Sequence, residues 1–156
     1  MRDAQTIFSS AQVISALAQA STNQIDLADI NQQIGQAVSS PRVRIRVNTT
    51  FSGGGMTVLS FYLQDAAPAT LTGTTPGAFA NMAVQLTNIP IASLVAGNDL
   101  LDVYMPITGG LAGIALTTPN QPDTLADSPM RRFIQLYYVV DAIPVTGALD
   151  AWLEVN

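Results

Sequence analysis

MRRFIQLYYVVDAIPVTGALDAWLEV, residues 130–155, decides the class of fold. Phe133 to Val140 is almost wholly apolar and rich in aromatic and β-branched side chains, which suit a packed, pleated surface. A strand apolar on both faces must be covered on both, so this one is expected at the centre of a sheet. Ala148 to Val155 alternates instead. Leu149, Ala151, Leu153 and Val155 share one face, and Asp150, Trp152 and Glu154 share the other. Asp141, Pro144 and Gly147 between them supply turn chemistry. The two strands are expected to form a pair that the rest of the chain flanks and covers.

Working outward, Arg42 to Thr50 (RVRIRVNTT) is the cleanest alternating strand. Val43, Ile45 and Val47 face one way, and Arg42, Arg44 and Arg46 the other. Gly53, Gly54 and Gly55 mark a tight connection, and Met56 to Gln64 (MTVLSFYLQ) follows as a second strand. Residues 42–64 therefore read as a hairpin. Met82 to Leu86 and Leu100 to Ile107 are further strands, with a turn region over 87–99. Residues 65–81 and 108–129 are rich in Ala, Thr, Pro and Gly and read as two long loops. Near the N-terminus, Val13, Ile14 and Leu17 have helical spacing, but three serines and the lack of charge leave an extended arm equally open. A short strand follows at 21–27, and residues 29–40 read as a polar loop. Seven or eight short strands with Gly/Pro punctuation and almost no helix predict an all-β sandwich or barrel in a single domain.

Composition narrows the chemistry. The 156 residues contain no Cys and no His, and all six cations are Arg. Thiolate, disulfide and Schiff-base chemistry are thereby excluded. Acid–base catalysis at neutral pH loses its commonest agent. A net charge of −5 argues against broad nucleic-acid binding. No apolar run approaches the roughly 20 residues of a membrane helix, and the N-terminus lacks the apolar core of a signal peptide. Charged residues are only 11% of the chain and apolar ones 48%, so much apolar surface is expected to be buried against partners.

No catalytic or metal-ligating motif stands out. Asp99, Asp102, Asp123, Asp127 and Asp141 do not have the spacing of a calcium loop, so no metal or cofactor is expected. Carboxylates suffice in number for a glycosidase pair, but nothing singles out a pair. Gly53–Gly55 lacks the lysine and helix start of a phosphate cradle. The candidate interface residues are Arg42, Arg44, Arg46, Trp152, Arg131 and Arg132. The row of three arginines is either a solvated face or an ion-pairing row for a partner, and is expected to serve association more than folding. Arg131 and Arg132 end a loop and are expected to pair with acids such as Asp127 or Asp141. Trp152 is either covered by the N-terminal arm or part of an interface.

Four stretches together resemble a known family. They are DAQTIFSSAQVISALAQASTNQIDL (3–27), RVRIRVNTTF (42–51), IPIASLVAGNDLLDVYMPI (89–107), and RRFIQLYYVV followed by GALDAWLEV. In this order they resemble the capsid cement (decoration) proteins of certain tailed bacteriophages, as in a Bordetella podovirus. The sequence departs from that family's pattern in its two longer loops. The resemblance implies a jelly-roll-like antiparallel β-sandwich that sits as a homo-oligomer, a dimer or trimer, on the outer capsid surface. There it staples neighbouring major capsid proteins, with no enzymatic activity and no cofactor. The alternative reading is a β-sandwich carbohydrate-binding or adhesion module of a phage tail or cell surface. A hydrolase is a third and weaker class.

Overall fold

The computed structural model describes residues 6–26, 42–70, 75–104 and 132–154. Nine strands are present among them: β1 (Ile7–Val13), β2 (Ala18–Ala20), β3 (Ile25–Asp26), β4 (Arg42–Ser52), β5 (Val58–Ala66), β6 (Ala80–Pro90), β7 (Asp99–Tyr104), β8 (Phe133–Val140) and β9 (Thr146–Glu154). One 3-10 turn, Ile91–Ser93, follows β6. The strands form two antiparallel sheets. The first has the order β1-β9-β4-β7. The second has the order β2-β8-β5-β6, with β3 also pairing β8. The chain switches sheets repeatedly, and this order is that of a jelly roll, two Greek keys laid face to face.

Alternation explains which side chains meet. Val43, Ile45 and Val47 of β4 and Leu149, Ala151 and Leu153 of β9 are buried on the inner face of the first sheet. Leu59, Phe61 and Leu63 of β5 and Ile134, Leu136 and Tyr138 of β8 are buried from the second. Together they make one core. β8 lies at the centre of its sheet, as its two-sided apolar pattern requires, with β5 on one flank and β2 and β3 on the other.

The structure corrects several sequence expectations. Residues 42–64 are not a hairpin, because β4 and β5 lie in different sheets. Gly53, Gly54 and Gly55 have φ values of 73°, 68° and 77°. Three successive left-handed residues lift the chain out of one sheet and into the other instead of reversing it in plane. β8 and β9 are not neighbours either. They face each other across the core, and the connector 141–145 carries the chain between sheets. Residues 11–20 are extended and not helical, and they are built into the sheets: β1 pairs β9, and β2 pairs β8. The β6 strand is longer than expected and absorbs residues 87–90 of the presumed turn. The loop read at 65–81 shrinks to 67–79. It is narrowed by a bridge between Pro68 and Pro76 and a bond from the Gly77 N–H to the Ala67 carbonyl at 2.7 Å. The 29–40 and 108–129 loops lie outside the described residues.

All four short sheet-to-sheet crossovers, 14–17, 53–57, 91–98 and 141–145, lie at one end of the sandwich. Registers require this, since Val13 pairs Ala148, Ser52 pairs Thr146, Val58 pairs Pro90 and Leu59 pairs Val140. The strand ends Asp26, Arg42, Ala66, Ala80, Tyr104 and Phe133 lie at the opposite end. The 53–57 and 141–145 crossovers are laced together. The Val145 N–H donates to the Ser52 carbonyl at 2.9 Å, and the Ser52 and Thr146 hydroxyls meet at 2.7 Å.

Asp141 is the clasp of this end. Its carboxylate accepts from the Thr57 hydroxyl and from the backbone N–H groups of Thr57 (2.9 Å) and Val58 (3.1 Å). Those bonds, the Thr57 hydroxyl first, hold its carboxyl at about 2, below the ordinary value of 3.8. A folded value below the unfolded one adds stability that is complete above about pH 4 and lost as the pH falls toward the folded value. The melting-temperature gap between wild type and Asp141→Asn is therefore expected to shrink as the pH is lowered from about 5 to about 2. A gap that stays constant over that window would remove the clasp from the acid response.

A buried polar chain fastens β1 across the sandwich. The Ser9 hydroxyl donates to Gln12 Oε1 at 2.5 Å, so the Tyr138 hydroxyl, 2.8 Å from Ser9 Oγ, is the donor to Ser9. Gln12 continues to the Ala20 carbonyl at 2.8 Å and accepts from the Thr22 N–H at 2.8 Å. Burial pushes the Tyr138 phenol far above its ordinary value. Outside this chain, Ala11 sits at φ 47° in a bulge of β1, and its N–H donates to Asp150 Oδ1 at 2.6 Å. The bulge is thus fixed by a β9 side chain.

Candidate functional site: the outer face of the first sheet

β4 projects Arg42, Arg44 and Arg46 from the outer face of the first sheet, as the alternation requires. Sequence alone did not show what flanks them. β7 lies on one side and β9 on the other, and both bring acids to the row. Arg44 stands opposite Asp102 of β7 and Trp152 of β9, and Arg46 stands opposite Asp99 and Asp150. Arg42 Nη2 lies 2.7 Å from Asp102 Oδ2. Arg44 reaches Glu154 at 3.3 Å and Asp99 at 3.4 Å. The result is a checkerboard of opposite charges across three strands, the arrangement that cross-strand pairing favours. Arg46 is exposed, and among the described residues it has no ion-pair partner within 4 Å.

Trp152 lies on this face and is 6% exposed. Its indole is opposite Ile7 of β1 on one side and opposite Arg44 on the other. The Arg44 guanidinium carbon lies 5.5 Å from the ring centroid, a cation–π contact. The β1 segment and the arginine row together cover the indole, as the first of its two sequence readings has it. Beside it, Ile7, Ser9, Ser10, Asp150, Ala151 and Trp152 line a recess of about 20 Å³. That is room for a water, far below the roughly 300 Å³ of a small-molecule site.

Arg132 is held apart from this face. Its Nε and Nη2 reach the two carboxylate oxygens of Asp26 on β3 at 2.7 and 2.6 Å, a bidentate pair. Its guanidinium also lies over the Phe133 ring, 5.1 Å from the centroid. The partner is Asp26 rather than Asp141, because Asp141 is committed to the crossover end, and β3 runs alongside the start of β8. Arg131 and the other proposed partner, Asp127, lie outside the described residues. The six candidate residues are therefore not one site. Four of them, Arg42, Arg44, Arg46 and Trp152, share the outer face of the first sheet, and Arg132 clamps the second.

The residues that sequence reasoning missed are the acids completing the row: Asp99, Asp102 and Glu154. Glu154 and Asp150 were visible on the polar face of their strand, but nothing local placed that strand beside β4. Among the described residues no three acidic side chains converge as a metal-holding group. A scan against models of known protein families finds no match to this chain, and a search of curated proteins finds none either.

Proposed function

We propose that this protein is a structural virion component that binds the outside of a phage capsid and cements neighbouring major capsid proteins. The observation that carries the reading is the strand order. The resemblance of four sequence stretches to capsid cement proteins implies a jelly-roll-like sandwich, and β1-β9-β4-β7 over β2-β8-β5-β6 is that topology. Composition supports it, since a chain 48% apolar and 11% charged suits a subunit with several interfaces. The covered Trp152 and the small recess beside it offer no aromatic platform for a sugar on this face.

The mechanism is binding. A subunit that spans a joint between shell proteins gains contacts only in the assembled state. Mass action then opposes disassembly, by about 2.7 kcal/mol per site when free protein is at 100 times its dissociation constant. The decisive experiment is a DNA-release melt on shells with and without the protein. Decorated shells are expected to release DNA at higher temperature, and adding purified protein to bare shells restores the resistance. Equal release temperatures at saturating protein would sink the cement reading, and a glycan array would then take up the alternative.

A further inference from the structure

On the outer face of the second sheet, Tyr62 of β5 and Tyr137 of β8 stand directly opposite each other. Such a cross-strand pair holds its Cβ atoms about 4.5–5.5 Å apart. Both residues are half-buried, and neither hydroxyl has a hydrogen-bond partner among the described residues. The next row along the strands, about 7 Å away, is a ladder of amides. Gln24 Nε2 donates to Gln135 Oε1 at 3.3 Å, Gln135 Nε2 to Gln64 Oε1 at 2.8 Å, and Gln64 Nε2 to Asn81 Oδ1 at 2.8 Å. An amide nitrogen carries two hydrogens and an amide oxygen two lone pairs. The ladder uses one of each at Gln64 and fixes the direction of the others, and Asn81 at its end is exposed.

This face is uncharged where the first sheet's is not. β2, β6 and β8 contain no charged residue, and Asp65 of β5 turns inward by alternation and is buried. At the border of the face, the bidentate pair with Asp26 neutralises Arg132.

We propose that the Tyr62–Tyr137 pair and the amide ladder beside it form a binding site for a neutral glycan chain. Three features select this ligand. Two adjacent phenol rings offer an apolar surface with a polar tip, which suits the C–H side of a sugar ring and the hydroxyls at its rim. Amides that both donate and accept match sugar hydroxyls, which also do both. The lack of charge leaves nothing to pair with a uronic or sialic acid. The ladder also holds its amides in place before binding, which lowers the ordering cost of a weak contact. The inference goes beyond the cement reading and does not need it. The two outer faces of the sandwich point in opposite directions, so a subunit seated on a shell can still offer one of them to a glycan.

The test is an NMR titration of the purified full-length chain with neutral hexasaccharides of glucose, mannose, galactose and N-acetylglucosamine. Each is added from about 10 μM to about 10 mM, the range of weak single-site binding. Hexagalacturonate is the charged control. At least one neutral chain is expected to bind and to shift the ring signals of Tyr62 and Tyr137, while the Trp152 indole on the other sheet stays unmoved. Tyr62→Ala and Tyr137→Ala are each expected to raise the dissociation constant at least about tenfold, and Gln64→Ala several-fold. Tyr62→Phe and Tyr137→Phe keep the ring and most of the binding, and Arg46→Ala changes nothing. The wild-type shifts need no variant, so the site is tested even where an alanine weakens folding. A chain that binds none of the neutral sugars overturns the inference. So do shifts confined to the first sheet, tyrosine-to-alanine variants that bind like wild type, and equal binding of hexagalacturonate. A wild type that ignores every glycan but loses shell binding on Tyr62→Ala also overturns it, and assigns the face to the shell. Because the titration involves no capsid, its failure and that of the cement reading are separately visible.

Discussion

Gly54→Ala is expected to abolish stable folding or come close to it. Two costs add. Gly54 sits at φ 68°, where an alanine is disfavoured by about 1–2 kcal/mol. The second cost is larger. A Cβ on Gly54 would fall 1.8 Å from the Ile143 carbonyl oxygen and 2.8 Å from its carbon. Those are backbone atoms of the neighbouring crossover and cannot swing aside as a side chain would. The two crossovers must separate, breaking the Val145–Ser52 bond and loosening buried Met56. A loss above about 4 kcal/mol is expected, a large share of the roughly 5–15 kcal/mol that holds a domain together. Gly55→Ala is the control. Its φ of 77° carries the same backbone cost, but nothing lies within 4 Å of the added Cβ. It should lose only about 1–2 kcal/mol. Urea denaturation of the two variants decides the matter. Equal losses would show that conformation alone, and not the approach of the two crossovers, makes Gly54 necessary.

Trp152→Ala is the second large effect, at about 3 kcal/mol, the low end of the range for removing a buried Phe or Trp. The indole is almost fully covered although it stands on the outer face of its sheet. Its removal uncovers Ile7 on β1, takes the cation–π partner from Arg44, and opens the seam between β1, β9 and β4. Trp152→Phe keeps an aromatic face under the guanidinium and should recover about half the loss. Thermal or urea unfolding measures both. A Trp152→Ala protein that keeps wild-type stability and loses shell binding would make the indole an interface anchor instead of a structural one.

The arginine row shows how far local reading reaches. The spacing of Arg42, Arg44 and Arg46 placed all three on one polar face, and they stand there. It could not show that Asp102 and Glu154 answer two of them within the same chain. Those acids are 60 and 110 residues from Arg42 and Arg44 respectively, and belong to strands paired through non-local registers. Arg132 is a similar case: its partner Asp26 is 106 residues away.

By itself, the sequence determined the all-β class, the inner and outer faces of β4 and β9, and the central place of β8. The faces follow from the period of two, the place of β8 from its apolar side chains on both faces, and the class from short strands between turn residues, all local properties of consecutive residues. The tertiary structure alone decided which strands became neighbours. Gly53–Gly55 has the composition of a hairpin turn, and 141–145 the turn residues of a reversal, yet both cross between sheets. Turn residues specify that the chain bends. Which sheet it enters depends on where the apolar faces of β4 and β5, or of β8 and β9, can be buried against each other. That is settled by packing among segments far apart in the chain, and so is the covering of Trp152 by Ile7 and Arg44.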